Sequence, residues 1–77
     1  MPDSVKSRRD QIRDVAEQAL RRSTRPMHNS EITQAILSEL ALTAADLSAK
    51  TVNTCLHDDP SGRFARVAAG TWDLRRR

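Results

Sequence analysis

Residues 48–59 read SAKTVNTCLHDD, and this stretch predicts the fold because it separates into two faces when it is wound as an α-helix. Val52, Cys55 and Leu56 fall at positions i, i+3 and i+4 and form an apolar face. Four polar residues, with no acid among them, form the other face: Lys50, Asn53, Thr54 and His57. Such side chains suit base edges and phosphates. We therefore interpret the stretch as a recognition helix that rests on a small core and meets a partner with its polar face.

A first amphipathic helix is predicted near the start of the chain. Ser7 suits the N-cap position, and Asp10 lies in the first turn, where the helix dipole favours an acid. The helix ends at residues 23–26, because Pro26 favours an extended conformation for Arg25. Its apolar face recurs with helical spacing at Ile12, Val15, Ala16, Ala19 and Leu20. Its charged residues are interpreted as a face in contact with solvent: Arg9, Arg13, Asp14, Glu17 and Arg21.

A second helix follows a very short extended stretch at residues 25–27. Either His28 or Asn29 is its N-cap; with His28, Glu31 falls at the N3 position of a capping box. The apolar face of this helix contains Ile32, Ala35, Ile36 and Leu40. Residues 41–47 then form a connector with one turn, in which Thr43 and Asp46 have capping-box spacing, and Ser48 caps the third helix. Three helices with short joints predict a helix-turn-helix arrangement.

The last part of the chain changes to the two-residue period of a β-hairpin. Strands are predicted at residues 63–67 and 71–75, and Gly70 suits the left-handed position of the loop at 68–70. Phe64 and Val67 are three residues apart, which breaks strict alternation and predicts a bulge. The fold class is therefore α+β, mainly α. It is a winged helix-turn-helix with three helices, a C-terminal β-hairpin wing and a very short strand before helix two.

Composition excludes several classes of protein. A chain of 77 residues forms one small domain without room for a deep substrate cavity. We expect a flexible N-terminus at residues 1–6, the domain at 7–75 and a basic end at 76–77. One cysteine and two histidines form neither a disulfide framework nor a zinc ligand set, and no run of about 18 apolar residues occurs. We find no nucleophile and base pair and no glycine-rich phosphate loop, so we expect neither enzyme activity, nor a cofactor, nor a membrane segment.

Positive charge is concentrated toward the end of the chain. The net charge is +3; residues 1–46 contain seven basic and seven acidic residues, whereas residues 47–77 contain six and three. This asymmetry favours an anionic partner, although a soluble surface with arginines at a frayed end explains it equally well. The aromatic residues Phe64 and Trp72 are expected in the core rather than stacked on bases.

The chain from residue 12 to residue 74 resembles the HARE-type helix-turn-helix domain, a family found in the RNA polymerase delta subunit, in ASXL-type chromatin proteins and beside restriction-endonuclease modules. The resemblance rests on three motifs: Pro26-Met27-His28 with Glu31-Ile32, Thr51-Val52 with Leu56, and Phe64-x-Arg66-Val67-x-x-Gly70-x-Trp72-x-Leu74. Members often open helix three with Thr-Pro, where this chain has Leu47-Ser48. The resemblance implies a winged helix and, for most members, DNA binding; some members dock on protein instead.

We therefore expect a double-stranded DNA-binding module with helix three in the major groove and the wing on the flanking backbone. In this hypothesis Asn53 pairs with adenine, Lys50 contacts guanine or phosphate, and Thr54 and His57 complete the face. Cationic residues of the wing contact the flanking backbone or the minor groove: Arg63, Arg66, Arg75 and Arg76. Packing of the Arg66 stem over Trp72 is an equally good interpretation of that residue.

The alternative is a protein-interaction module. It docks on RNA polymerase, a chromatin protein or a partner nuclease, with the helix-one surface around Glu17 and Arg21 as the contact. Both hypotheses place the protein in the cytoplasm, near the nucleoid, or in the nucleus, with a role in transcription regulation of bacterial type.

Overall fold

The computed structural model describes residues 7–75, and the chain order there is three helices interleaved with a small sheet. The helices are α1 (Arg8–Ser23), α2 (Asn29–Glu39) and α3 (Ala49–His57). The strands are β1 (Met27–His28), β2 (Phe64–Ala68) and β3 (Thr71–Leu74). The expected fold class, a winged helix-turn-helix, is confirmed. The flexible N-terminus expected at residues 1–6 and the basic end expected at 76–77 lie outside the described residues.

α1 begins and ends where local chemistry predicts. The Ser7 side chain accepts a hydrogen bond from the Asp10 backbone N–H, which satisfies one of the free donors of the first turn. At the other end Thr24 adopts a left-handed conformation with φ of 56°, and its N–H donates to the Leu20 carbonyl. The chain then passes through Pro26 into β1.

α2 is capped by His28, so the first of the two predicted N-caps is confirmed. The His28 Nδ1 atom accepts from the Ser30 N–H at 3.2 Å, and Glu31 accepts from the His28 N–H at 3.0 Å. In the connector the Asp46 carboxylate accepts from both the N–H and the hydroxyl of Thr43, and these bonds lower the pKa of Asp46. Residues 44–46 form a turn rather than a helix.

α3 begins after Ser48, whose hydroxyl accepts from the Thr51 N–H at 3.2 Å, as predicted. Its apolar face is buried, with Val52 and Cys55 fully covered and Leu56 2% exposed. The apolar faces of α1 and α2 and the inner face of the hairpin pack into the same core. Its buried members are Ile12, Ala16, Leu20, Ile32, Ile36, Leu47, Val52, Cys55, Leu56, Phe64 and Trp72.

The three strands form one antiparallel sheet in the order β1-β3-β2. β2 and β3 are joined by a tight loop in which Gly70 has φ of 65°, a left-handed value that glycine adopts without steric cost. The register shifts between Arg66 and Ala68, so the predicted bulge is confirmed at Val67, whose side chain is 54% exposed. The strand bounds differ by one residue from the predicted ones: β2 begins at Phe64 and ends at Ala68, and β3 ends at Leu74. The Arg63 N–H donates to the Asp59 carboxylate, so β2 begins after it.

The expectation that the charged face of α1 contacts solvent is wrong for Arg13, which is only 7% exposed. Its Nε atom donates to the Cys55 carbonyl at 2.9 Å, and its Nη2 atom donates to the Asp58 carbonyl at 3.4 Å. Carbonyls at a helix C-terminus have no partner within the helix and carry partial negative charge. Arg13 therefore caps the end of α3 and holds this helix against α1.

None of the helices within residues 7–75 is long and apolar enough to span a membrane.

Candidate nucleic-acid interface

The predicted polar face of α3 borders a groove that separates this helix from the β-hairpin. The groove has a volume of about 400 Å³. It is lined by Asn53, Thr54, His57 and Asp58 from the helix side and by Arg66, Gly70 and Trp72 from the hairpin side. Four of the eight residues expected at the interface therefore meet at one surface feature.

Lys50, Thr54 and His57 are exposed on α3. The Thr54 hydroxyl donates to the Lys50 carbonyl at 3.1 Å, so its oxygen lone pairs remain for a partner. The His57 Nδ1 atom lies 2.9 Å from the Asp58 carboxylate. Asp58 is thus paired with a side chain of the helix, and Lys50, the lysine of this face, lies at the other end of the helix, near its start.

Asn53 is half-buried, and it is bound to the hairpin. Its side-chain oxygen accepts a hydrogen bond from the Trp72 indole N–H at 2.8 Å. The sequence contained one signal for this contact, because a buried tryptophan needs an acceptor for its N–H. It did not identify the acceptor, which lies 19 residues away in the chain.

Arg66 is exposed on β2 and lies opposite Trp72 in the strand register. Both residues line the groove, so Arg66 is placed where its stem can pack on the tryptophan and where its charged end can meet a partner, and both interpretations of Arg66 stay predictions.

Arg63, by contrast, is bound by acidic side chains within the domain. Its Nη1 atom donates to Asp14 at 3.1 Å and to Glu17 at 3.0 Å, and its Nη2 atom donates to Asp59 at 3.0 Å. These carboxylates raise the pKa of Arg63, Asp59 first among them. Three acids of α1 and of the turn therefore compete with any phosphate for this guanidinium, and the structure does not bring Arg63 to the groove.

Asp59 is the residue that sequence reasoning missed. Its side chain is 1% exposed and accepts from the backbone N–H of Arg63 at 2.8 Å and from Nε at 3.1 Å. The bonds from Arg63 lower the pKa of Asp59 although its burial opposes the shift. Asp59 thereby fixes the start of the hairpin relative to the end of α3.

Arg75 is exposed, and its guanidinium is anchored to the hairpin backbone through the carbonyls of Gly62 and Phe64, at 2.9 and 3.0 Å. It lines a separate pocket of about 230 Å³ together with Glu17 and Arg21, so it lies apart from the groove. The remaining predicted contact, Arg76, lies outside the described residues.

The surface around Glu17 and Arg21, expected to serve a protein partner in the alternative hypothesis, is also engaged within the domain. Glu17 accepts from Arg21 at 2.9 Å and from Arg63 at 3.0 Å. Within residues 7–75, no three histidine, cysteine or acidic side chains are grouped so that they could hold a metal ion. Burial raises the pKa of the Cys55 thiol, which stabilises the neutral thiol in the core.

Comparison with known proteins gives one family. Residues 11–76 match the model of HARE-HTH, a helix-turn-helix domain whose description names ASXL proteins and restriction endonucleases. Searches of curated proteins and of solved structures found no match to the chain. The matched span includes α1 from residue 11 onward, the other two helices and the whole hairpin, and the family is a helix-turn-helix family, which suggests nucleic-acid binding. The chain belongs to the HARE-HTH family.

Proposed function

We propose that this domain is a double-stranded DNA-binding module in which α3 enters the major groove and the hairpin wing contacts the flanking backbone. The observation that carries the proposal is one polar surface: Asn53, Thr54, His57 and Arg66 line the groove, and Lys50 is exposed on the same face of α3. It combines an exposed face of the second helix of a helix-turn-helix with an accessible arginine on the wing.

The contacts are divided between base edges and backbone. Asn53 is half-buried in the lining of the groove and suits a base edge, whereas Lys50 and Arg66 are exposed cations that suit phosphates or guanine. Arg63 is left out of this interface because three carboxylates already bind it. The module acts without catalysis, and a role in transcription regulation in the cytoplasm or nucleus fits DNA as the partner.

A fluorescence anisotropy titration with duplex DNA at about 50 and 200 mM salt tests the proposal, because phosphate contacts make affinity fall steeply over this range. The test variant is Lys50→Gln with Arg66→Gln. The matched control is Arg21→Gln with Arg22→Gln, which removes two positive charges from exposed positions of α1.

We expect the test variant to lower affinity about tenfold or more and to reduce the slope of log K against log salt by about 2. The control should change affinity by less than about threefold, since its charges lie away from the groove. Circular dichroism verifies that both variants are folded. Absence of wild-type binding at 50 mM salt, or an equal loss in both variants, would contradict the proposal.

A further inference from the structure

The orientation of the Asn53 amide follows from its contact with Trp72. An indole nitrogen is a donor and never an acceptor, so the group that faces it must be the amide oxygen and not the NH₂ group. The 2.8 Å bond from a tryptophan that is only 4% exposed therefore engages the oxygen. This bond directs the amide oxygen at the indole and engages one of its two lone pairs, so the end of the amide turned away from Trp72 is the NH₂ group, with two N–H donors.

The two nearby cations also offer a partner hydrogen-bond donors and no acceptors. Arg66 carries only N–H donors, and Lys50 on the same face of α3 does too. The donors of Asn53, Arg66 and Lys50 match a base edge that presents acceptors side by side, whereas the Thr54 oxygen keeps acceptor lone pairs. Guanine presents N7 and O6, both acceptors, in the major groove, whereas adenine places its N6 donor beside N7.

An asparagine with both ends of its amide free matches adenine, because it donates to N7 and accepts from N6. An asparagine whose oxygen is already engaged matches guanine better, because its second N–H then meets O6 instead of another donor. The bond from Trp72 thus favours guanine as the partner of Asn53, where the sequence by itself favoured adenine.

We propose that Trp72 is a positioning residue that holds Asn53 as a hydrogen-bond donor, so that the protein prefers guanine over adenine at the base pair that Asn53 contacts. The inference rests on the proposed function, since it assumes that α3 lies in the major groove of DNA.

Selection of binding sites from a randomised duplex pool, followed by sequencing, tests the inference with Trp72→Phe. This variant keeps an aromatic ring but removes the N–H, so the Asn53 amide is free to rotate. We expect the wild type to enrich guanine over adenine about fivefold or more at one position, the size of a good two-bond contact to a base. In Trp72→Phe this ratio should fall to within about twofold, while the salt dependence of binding is unchanged.

Phe64→Leu is the matched control, because it changes the other buried aromatic residue of the hairpin, which takes no part in the hydrogen bond from Trp72 to Asn53. It should keep the guanine preference even if the domain is less stable. A merely structural role for Trp72 would lower affinity for all sequences alike and leave the preference at that position intact.

A second variant keeps the test decisive if Trp72→Phe does not fold. Asn53→Asp retains an oxygen for the indole but removes both N–H donors, so the guanine preference should be lost at one position. That position identifies the contact of Asn53. Gln18→Glu makes the same change of charge on the exposed side of α1 and should preserve the preference.

The outcomes separate the two proposals. A wild type that binds DNA in a salt-dependent way but selects adenine, or no base, where Asn53→Asp acts would overturn the inference and leave the DNA-binding proposal intact. A guanine preference that is unchanged in Trp72→Phe would also overturn the inference and leave the DNA-binding proposal intact. Failure of the wild type to bind duplex DNA at low salt would overturn both.

Discussion

Replacing Asp59 with asparagine should cost the domain more stability than any other single carboxylate change at the α1–hairpin junction. The carboxylate is 1% exposed and accepts three hydrogen bonds from Arg63, one from the backbone N–H and two from the guanidinium. Asparagine keeps one acceptor oxygen but turns an NH₂ group toward N–H donors. At least one charge-assisted bond is lost, and a hydrogen bond of this kind contributes about 1.5–3 kcal/mol.

The expected loss is about 2–3 kcal/mol. It is smaller than the ~3–5 kcal/mol for breaking a fully buried ion pair, because Arg63 is 25% exposed and keeps its bonds to Asp14 and Glu17. For a domain of this size each kcal/mol lowers Tm by about 4–8 °C, so Tm should fall by roughly 10–20 °C. The matched control is Glu17→Gln, which also faces Arg63 but is 21% exposed and should cost about 1 kcal/mol or less.

The stability difference between the wild type and Asp59→Asn should also depend on pH. The pKa of Asp59 is depressed below its ordinary value of 3.8 in the folded state. A group with a depressed folded pKa contributes its full stability above the unfolded value and loses it as the pH falls through the folded pKa. The difference in Tm between wild type and Asp59→Asn should therefore be constant from about pH 7 to 5 and should narrow below about pH 4.

Thermal unfolding followed by circular dichroism measures Tm at each pH, and urea unfolding measures the free energy of unfolding. The reasoning is refuted if Asp59→Asn is no more destabilising than Glu17→Gln. It is also refuted if the difference between wild type and Asp59→Asn stays constant down to about pH 2.5, well below the ordinary carboxyl pKa.

Three further predictions concern backbone and capping positions. Gly70→Ala should lower stability by about 1–2 kcal/mol more than Gly62→Ala in urea unfolding. Both glycines have positive φ, but only at Gly70 would an added Cβ meet a neighbouring side chain, at 3.1 Å. Equal losses of stability in the two variants would contradict this. Ala41→Gly should raise stability by up to about 1 kcal/mol, since Ala41 has φ of 54°, and a lower Tm would count against it. Arg13→Met should lower stability by about 2–3 kcal/mol, because the Cys55 carbonyl loses a buried donor; a neutral result in thermal unfolding would rule out the capping role.

Local features of the chain were predictable because their causes are local. The caps at Ser7, His28 and Ser48 depend on a side chain reaching a backbone N–H no more than three residues away. The bulge at Val67 and the turn at Gly70 follow from the break in alternation and from the tolerance of glycine for positive φ. Spacing alone likewise predicted which face of α3 is buried.

The partners of polar side chains were decided by the tertiary structure alone. Arg63 directly precedes β2 and Arg66 lies within it, and nothing in their neighbourhood in the chain predicted that only Arg63 would be bound by acids 49 and 46 residues away. The bond from Trp72 that orients Asn53 also joins residues far apart in the chain and was not predicted. Hydrophobic periodicity selects a buried face, but a charged or amide side chain is long enough to reach across elements. Its partner is therefore set only when the elements pack.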